Sequence, residues 1–90
     1  MAKFSVVFTK SAHKEFKGLS KNIQKKIIEN LDTLAVNPFS DLLRIKKLRG
    51  AKDLYRFRVG DYRVVYEVNN SVMTVLVIKI GHRKEIYRKF

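Results

Sequence analysis

Apolar and polar residues follow two different periods along the chain. Residues 4–8 are apolar and β-rich, which predicts a short opening strand. Thr9 offers a side-chain oxygen that can cap a helix beginning near Lys10. The apolar positions of this helix recur at helical spacing, at Ala12, Phe16 and Leu19. The chain is therefore expected to open with a strand and a short amphipathic helix.

A second, longer helix is predicted between Ser20 and Pro38. Ser20 can cap its N-terminus, and proline cannot continue the helical hydrogen-bond ladder. Its buried stripe comprises Ile23, Ile27, Leu31 and Leu34. The two helices are expected to form a hairpin.

From Tyr55 onward the period is two. Residues 55–59 and 62–68 each alternate between two faces, and the Gly60-Asp61 pair between them suits a type II′ hairpin turn. Residues 72–80 are almost wholly apolar, which predicts a central strand reached through a turn at residues 69–71. The tail at residues 84–90 is a candidate helix.

This order of elements predicts one domain, residues 1–90, of the α+β class. The N-terminal strand and the helical hairpin are expected to pack on a mostly antiparallel, twisted sheet. Ninety residues exclude a two-domain enzyme, and a hydrophobic fraction of 46% with ten aromatic residues argues against a disordered basic tail.

The composition also bears on cofactors and location. With no cysteine and only two histidines, no disulfide, metal site or cofactor is expected. No apolar run is long enough for a signal peptide or a membrane span, so a cytoplasmic protein without a membrane partner is expected.

The net charge of +12 points to a polyanionic partner, and most of it lies in two stretches. Residues 44–63 carry +6 and residues 79–90 carry +4, so 32 of the 90 residues hold +10 of the excess. The helix lysines are expected to form an ordinary solvated face: Lys14, Lys17, Lys21, Lys25 and Lys26.

A two-residue loop at Gly60-Asp61 would place Arg58 directly across from Arg63, with Arg56 one diagonal step away. Like charges in that position destabilise a sheet, and an anion between them would offset the repulsion. We interpret the three arginines as a phosphate or nucleic-acid site; solvated sheet edges are the alternative. A three-residue loop at 69–71 would place Lys79 on the same face.

The last strand ends at Gly81-His82-Arg83, with Tyr87 shortly after. A turn at the glycine would deliver His82 and Arg83 to the edge of the arginine face. Tyr87 can stack a base there, or else close the core. An ordinary surface position is the alternative for His82, and it is the expectation for His13.

Several segments together resemble one known family. They are Leu48-Arg49-Gly50, residues 54–68, Gly81-His82-Arg83-Lys84-Glu85-Ile86-Tyr87-Arg88, the opening strand with Thr9 and Ala12, and the helix pair ending at Asn37-Pro38. In order and spacing they resemble the RelE family of toxin–antitoxin toxins, within the RelE/ParE superfamily, over the whole chain.

The resemblance implies a microbial-ribonuclease-like fold and cleavage of mRNA in the ribosomal A site, which inhibits translation. The reaction expected is attack of a ribose 2′-hydroxyl on the neighbouring phosphate, which restricts the substrate to RNA. The family's active positions fall here on Arg56, Arg58, Arg63, Arg83 and Tyr87. Further contacts to mRNA and to the 16S rRNA of the A site are expected from Lys46, Lys47, Arg49, Lys52, Lys79, Lys84, Arg88 and Lys89.

The resemblance also implies a cognate RelB-like antitoxin. Its acidic, amphipathic segment should cover the helices or the basic face, and operator DNA should be bound only through the toxin–antitoxin complex.

Arginine explains only part of this chemistry. A guanidinium can hold a phosphate and neutralise its growing charge, but it stays protonated and cannot readily move protons. Some family members have lysines where this chain has Arg56 and Arg58. We therefore assign proton transfer to His82 or Tyr87, with Glu67 and Glu85 as further candidate bases.

Two other functions stay open. A ParE-like toxin that poisons gyrase would share the fold without using this set of residues. A noncatalytic RNA- or DNA-binding module would need only the charge.

Overall fold

The computed structural model describes residues 3–48 and 53–82. Its elements, in chain order, are β1 (Ser5–Phe8), α1 (Lys10–Lys17), α2 (Lys21–Val36), a 3₁₀ turn (Asp41–Leu43), β2 (Lys46–Lys47), β3 (Leu54–Val59), β4 (Tyr62–Asn69) and β5 (Thr74–His82). Neither described helix is long and apolar enough to cross a membrane.

Across the described ranges the strands form one five-stranded sheet in the order β1-β5-β4-β3-β2. β1 pairs with β5 in parallel, and all the other neighbouring strands are antiparallel. The predicted α+β class with a mostly antiparallel sheet is confirmed.

Both helices begin at the predicted caps. The Thr9 side chain accepts a hydrogen bond from the Ala12 amide at 3.1 Å, and the Ser20 hydroxyl accepts one from the Ile23 amide at 3.4 Å. These bonds satisfy amides that the first turn of a helix leaves without a partner. The Gln24 side chain donates to the carbonyl of Leu19, which joins the start of α2 to the loop that follows α1.

The helices cover one face of the sheet and form a single core with it. The buried residues of this core are Ala12, Ile27, Leu31, Leu34, Phe57, Val59, Val64, Tyr66, Val68, Val75, Val77 and Ile80. By register the opposite face carries Arg56, Arg58, Arg63 and Val65, and of these Arg63 and Val65 are buried.

Tyr66 ties the sheet to the loop after α2. Its hydroxyl donates to the Pro38 carbonyl at 2.9 Å, and its ring stacks on Tyr55 with 5.8 Å between centroids. Burial raises the pKa of Tyr66 above its ordinary value, and the neighbouring Tyr55 raises it further. The phenol thus stays protonated and serves as a donor inside the core.

The start of the last strand was predicted wrongly. β5 begins at Thr74 rather than at Val72, because the Asn69 side chain accepts hydrogen bonds from the Ser71 and Val72 amides and holds a turn there. Met73 completes the turn with φ of 47°, in the left-handed region. Val72, which was assigned to a covered strand, is 66% exposed.

The two-residue strand β2 and the 3₁₀ turn were not predicted. The turn begins at Ser40, whose hydroxyl accepts from the Leu42 amide at 3.2 Å. β2 then adds an edge to the sheet beside β3.

Candidate nucleic-acid interface

The β3–β4 hairpin fixes the position of the arginines. Val59 pairs with Tyr62 across the Gly60-Asp61 loop, so Arg58 lies directly opposite Arg63. Gly60 has φ of 59°, as the first central residue of a type II′ turn requires, and this conformation favours glycine. The predicted turn and register are confirmed.

The face of the sheet that points away from the helices is basic, and we call it the arginine face. By register it carries Lys46, Arg56, Arg58, Arg63 and Lys79. Lys46 lies directly across from Arg56, so a second pair of like charges stands beside Arg58 and Arg63. Lys47 pairs with Tyr55 and by register belongs to the opposite face.

The arginines differ in exposure. Arg58 is exposed, Arg56 is half-buried, and Arg63 is only 2% exposed in the interior strand β4. Packing therefore holds the Arg63 side chain in place, whereas Arg58 can follow a ligand. Such a pair combines one fixed guanidinium with one adaptable guanidinium.

A cleft of about 580 Å³ opens along the β3 edge of this face. Its walls come from α2, the 3₁₀ turn with the residue after it, β2, β3 and β4. Its lining residues are Asn30, Leu42, Leu43, Arg44, Lys46, Arg56, Phe57, Arg58 and Arg63. Within the described part of the chain five of these nine residues are basic and none is acidic, so the cleft suits an anion.

Lys79 lies on the arginine face, as predicted, but the structural feature that places it there was not predicted. The loop between β4 and β5 has four residues, which alone would turn Lys79 to the helix side. A β-bulge between Val65 and Tyr66 inserts Ile78 and restores the predicted face, so that Lys79 lies across from Val65.

The ammonium of Lys79 forms an ion pair with Glu15 of α1. The same carboxylate accepts a hydrogen bond from the Ile80 amide at 3.1 Å. β1 pairs with β5 only as far as Val77, so Glu15 covers the edge of β5 beyond that point. The sequence pattern did not indicate this partner for Lys79.

His82 does not lie where a turn at Gly81 would have placed it. Gly81 stays within β5, directly across from Arg63, and His82 pairs with Tyr62. The rings of His82 and Tyr62 meet edge to face with 5.8 Å between centroids. By register the exposed His82 therefore belongs to the side opposite Arg58 and Arg63. The predicted delivery of His82 to the arginine face is wrong.

The remaining candidates divide into two groups. Glu67 lies on the arginine face by register and is half-buried. Arg49, Lys52, Arg83, Lys84, Glu85, Tyr87, Arg88 and Lys89 lie outside the described residues. No group of three or more His, Asp or Glu side chains in residues 3–48 and 53–82 is placed to hold a metal ion.

The sequence interpretation did not single out Arg44 or Asn30, which line the cleft. Arg44 has φ of 49°, and this left-handed residue turns the chain from the 3₁₀ turn toward β2. The Ser40-Asp41 pair before it is a capping signal that could have revealed the 3₁₀ turn.

The described residues form an α+β arrangement whose arginines cluster on the sheet face that points away from the helices, which suits an anionic ligand. Residues 6–87 match the family of ParE toxins of type II toxin–antitoxin systems. The chain belongs to this family.

Named relatives place it among the RelE toxins. It is 39% identical to toxin RelE3 of Methanocaldococcus jannaschii, over 94% of this chain and 97% of that protein. It is 30% identical to the mRNA interferase toxin RelE of Escherichia coli K12, over 89% of this chain and 85% of that protein. It also superimposes on RelE in the archaeal RelE–RelB complex of Pyrococcus horikoshii, with a TM-score of 0.80 and 32% identity over 92% of this chain and 97% of that one.

Proposed function

We propose that this RelE-type toxin is an endoribonuclease that cuts mRNA in the ribosomal A site and so inhibits translation in the cytoplasm. The observation that carries the proposal is the placement of Arg58 directly across from Arg63, where both line a basic cleft. The name of its E. coli relative, an mRNA interferase, supports the same reaction.

In the proposed reaction a ribose 2′-oxygen attacks the neighbouring phosphorus. A bond forms between the 2′-oxygen and phosphorus, and the bond from phosphorus to the 5′-oxygen breaks. The products are a 2′,3′-cyclic phosphate and a free 5′-hydroxyl, and no metal ion is needed. Arg58 and Arg63 hold the phosphate and neutralise the charge that grows on its oxygens in the transition state.

The reaction moves two protons, one from the 2′-hydroxyl and one to the 5′-oxygen. Since His82 lies beside Tyr62 on the other side of the sheet, we assign the proton-transfer role to Tyr87, with Arg83 as a third phosphate ligand. A pH–rate profile of His82→Ala tests this assignment. We expect the pH–rate profile to be unchanged. If the variant lost the rise or the fall of the rate with pH, His82 would be the proton-transfer residue.

Dependence on the ribosome fits this set of groups. Arginines neutralise charge but cannot readily move protons, so the toxin's own chemistry is weak, and the ribosome supplies an mRNA that is already held in place. Among the other basic residues that the structure describes, Lys46 on the arginine face and Lys47 on the opposite face of the same edge strand would contact mRNA or 16S rRNA.

The partner proposed for this toxin is a RelB-like antitoxin, as in the P. horikoshii complex. An acidic segment laid over the arginine face would exclude RNA, and a chain of net charge +12 attracts such a segment. Operator DNA would be bound only through the complex.

Primer extension on a translated mRNA, with and without ribosomes, tests the proposal. Breaks that appear only with ribosomes are expected from the wild type. Intact mRNA together with gyrase-linked DNA breaks would instead establish the second candidate, a ParE-like gyrase poison, which the matching family keeps open. RNA binding without any break would indicate a noncatalytic module.

A further inference from the structure

The basic cleft extends well beyond Arg58 and Arg63. Its volume of about 580 Å³ lies within the range of ~300–1,000 Å³ that is usual for ligand sites. Arg44 and Lys46 also line it, and neither belongs to the arginine pair that would hold the scissile phosphate.

The cations of the cleft form a continuous track. Arg58 lies two residues after Arg56 on β3, and Lys46 of β2 is paired with Arg56. A strand rises about 3.3 Å per residue and neighbouring strands lie about 4.8 Å apart, so the backbone of Lys46 is roughly 8 Å from that of Arg58. An extended polyanion can thus contact both ends at once.

The lining of the cleft includes apolar and amide side chains as well as cations. Leu42 and Leu43 line it next to Arg44, and the Leu42 side chain is 83% exposed. Asn30 of α2 adds an amide that can both donate and accept hydrogen bonds. An apolar surface, an amide and two cations match the base and the phosphate of one nucleotide, whereas free phosphate would use only the cations.

We propose that Arg44 and Lys46 form a subsite for the nucleotide next to the cleavage site, with its phosphate on the two cations and its base against Leu42. This inference rests on the proposed action on RNA and adds to it the residues that hold the flanking part of the strand. The subsite contributes to binding of the strand and not to the chemical step.

The backbone at Arg44 supports this assignment. Its left-handed conformation costs energy for a residue with a side chain, and such conformations gather where a ligand is held. Lys46 lies only two residues after Arg44, at the start of β2. Both cations therefore reach the cleft from one short segment.

Binding of a non-cleavable RNA tests the subsite separately from cleavage. The probe is a fluorescein-labelled 2′-O-methyl RNA hexamer, titrated by anisotropy at several salt concentrations. The variant is Arg44→Gln/Lys46→Gln, and the matched control is Lys14→Gln/Lys17→Gln, which removes the same charge from exposed positions on α1 at the other side of the sheet.

Each phosphate contact to a single strand contributes about 0.7 to the slope of log K against log salt. The variant loses the contact to one phosphate, so it should lose about 0.7 from this slope. At about 50 mM salt this corresponds to a roughly 5- to 10-fold loss of affinity. The control should stay near the wild-type value. Equal affinities and slopes for variant and control, or no binding by the wild type at this salt, would overturn the proposal.

A second titration uses a polyglutamate peptide of about ten residues. If the variant lost affinity for this peptide but kept its affinity for RNA, the cleft would be a peptide site and the proposal would be wrong. In ribosomal cleavage the variant should raise KM and leave kcat unchanged. A toxin that bound RNA through the cleft but cut nothing would contradict the proposed function alone.

Discussion

The Arg58–Arg63 pair should cost the protein stability, and this cost can be measured. Arg58→Gln removes one of two guanidiniums that face each other as direct partners on β3 and β4. Like charges directly opposite destabilise a sheet by roughly 0.2–1 kcal/mol. Because Arg58 is exposed, water and salt screen the repulsion, and we expect a gain of about 0.5 kcal/mol in the free energy of unfolding.

Urea unfolding at low salt measures this gain. The control is Lys14→Gln, which lowers the net charge by the same amount at an exposed position far from the pair. Any loss of positive charge relieves general repulsion in a chain of net charge +12. Only the part of the stability gain that exceeds the gain in Lys14→Gln therefore measures the repulsion between Arg58 and Arg63.

In the presence of inorganic phosphate, the wild type should become more stable than Arg58→Gln. An anion bound between the guanidiniums stabilises the wild type by RT ln(1 + [L]/Kd), about 1.4 kcal/mol at ten times Kd, and the variant by much less. The reasoning would be refuted if Arg58→Gln were less stable than Lys14→Gln and responded equally to phosphate.

Two further predictions concern the framework of the site. Tyr66→Phe should cost about 1–3 kcal/mol because it leaves the buried Pro38 carbonyl without its donor. Since the pKa of Tyr66 is raised in the folded state, its protonated form stabilises the protein fully below pH 10. Urea titrations above pH 10 should therefore show the difference from Tyr66→Phe shrinking, and a constant difference would contradict the burial argument. Glu15→Ala should cost about 1–3 kcal/mol and speed hydrogen exchange at the Ile80 amide, because it removes the acceptor of that amide and the partner of Lys79. Glu15→Gln keeps an acceptor and should leave the exchange of Ile80 close to the wild type, and fast exchange in both variants would show that the charge matters more than the hydrogen bond.

Local rules predicted the parts of the fold that depend on adjacent residues. The caps at Thr9 and Ser20 follow from one side-chain oxygen and the turn that it precedes. The Arg58–Arg63 pairing follows from a two-residue loop, which leaves a hairpin only one register.

The remaining features depend on contacts distant in sequence. β2 consists of two lysines and exists only as a partner of β3, so no hydrophobic period announces it. Because the last strand is apolar on both faces, its sequence could not show the bulge at Ile78 that sets which side Lys79 takes. Glu15 meets Lys79 only because α1 covers the end of β5.

The position of His82 shows how a reasonable local rule can fail. Glycine permits a turn but does not impose one, and Gly81 instead lies inside the sheet opposite Arg63. The cleft could not be predicted either, since its walls come from five elements of the chain, α2, the 3₁₀ turn, β2, β3 and β4.

Single-turnover cleavage of an mRNA held in the ribosomal A site tests the central claim most directly. Wild type and Lys14→Gln should cut at equal rates and leave a 2′,3′-cyclic phosphate and a 5′-hydroxyl, whereas Arg58→Gln should cut at least about a hundredfold more slowly. Placing a 2′-deoxyribose at the cleavage site should abolish the break. Undiminished cleavage by Arg58→Gln, or cleavage of the deoxy-substituted mRNA, would contradict the account.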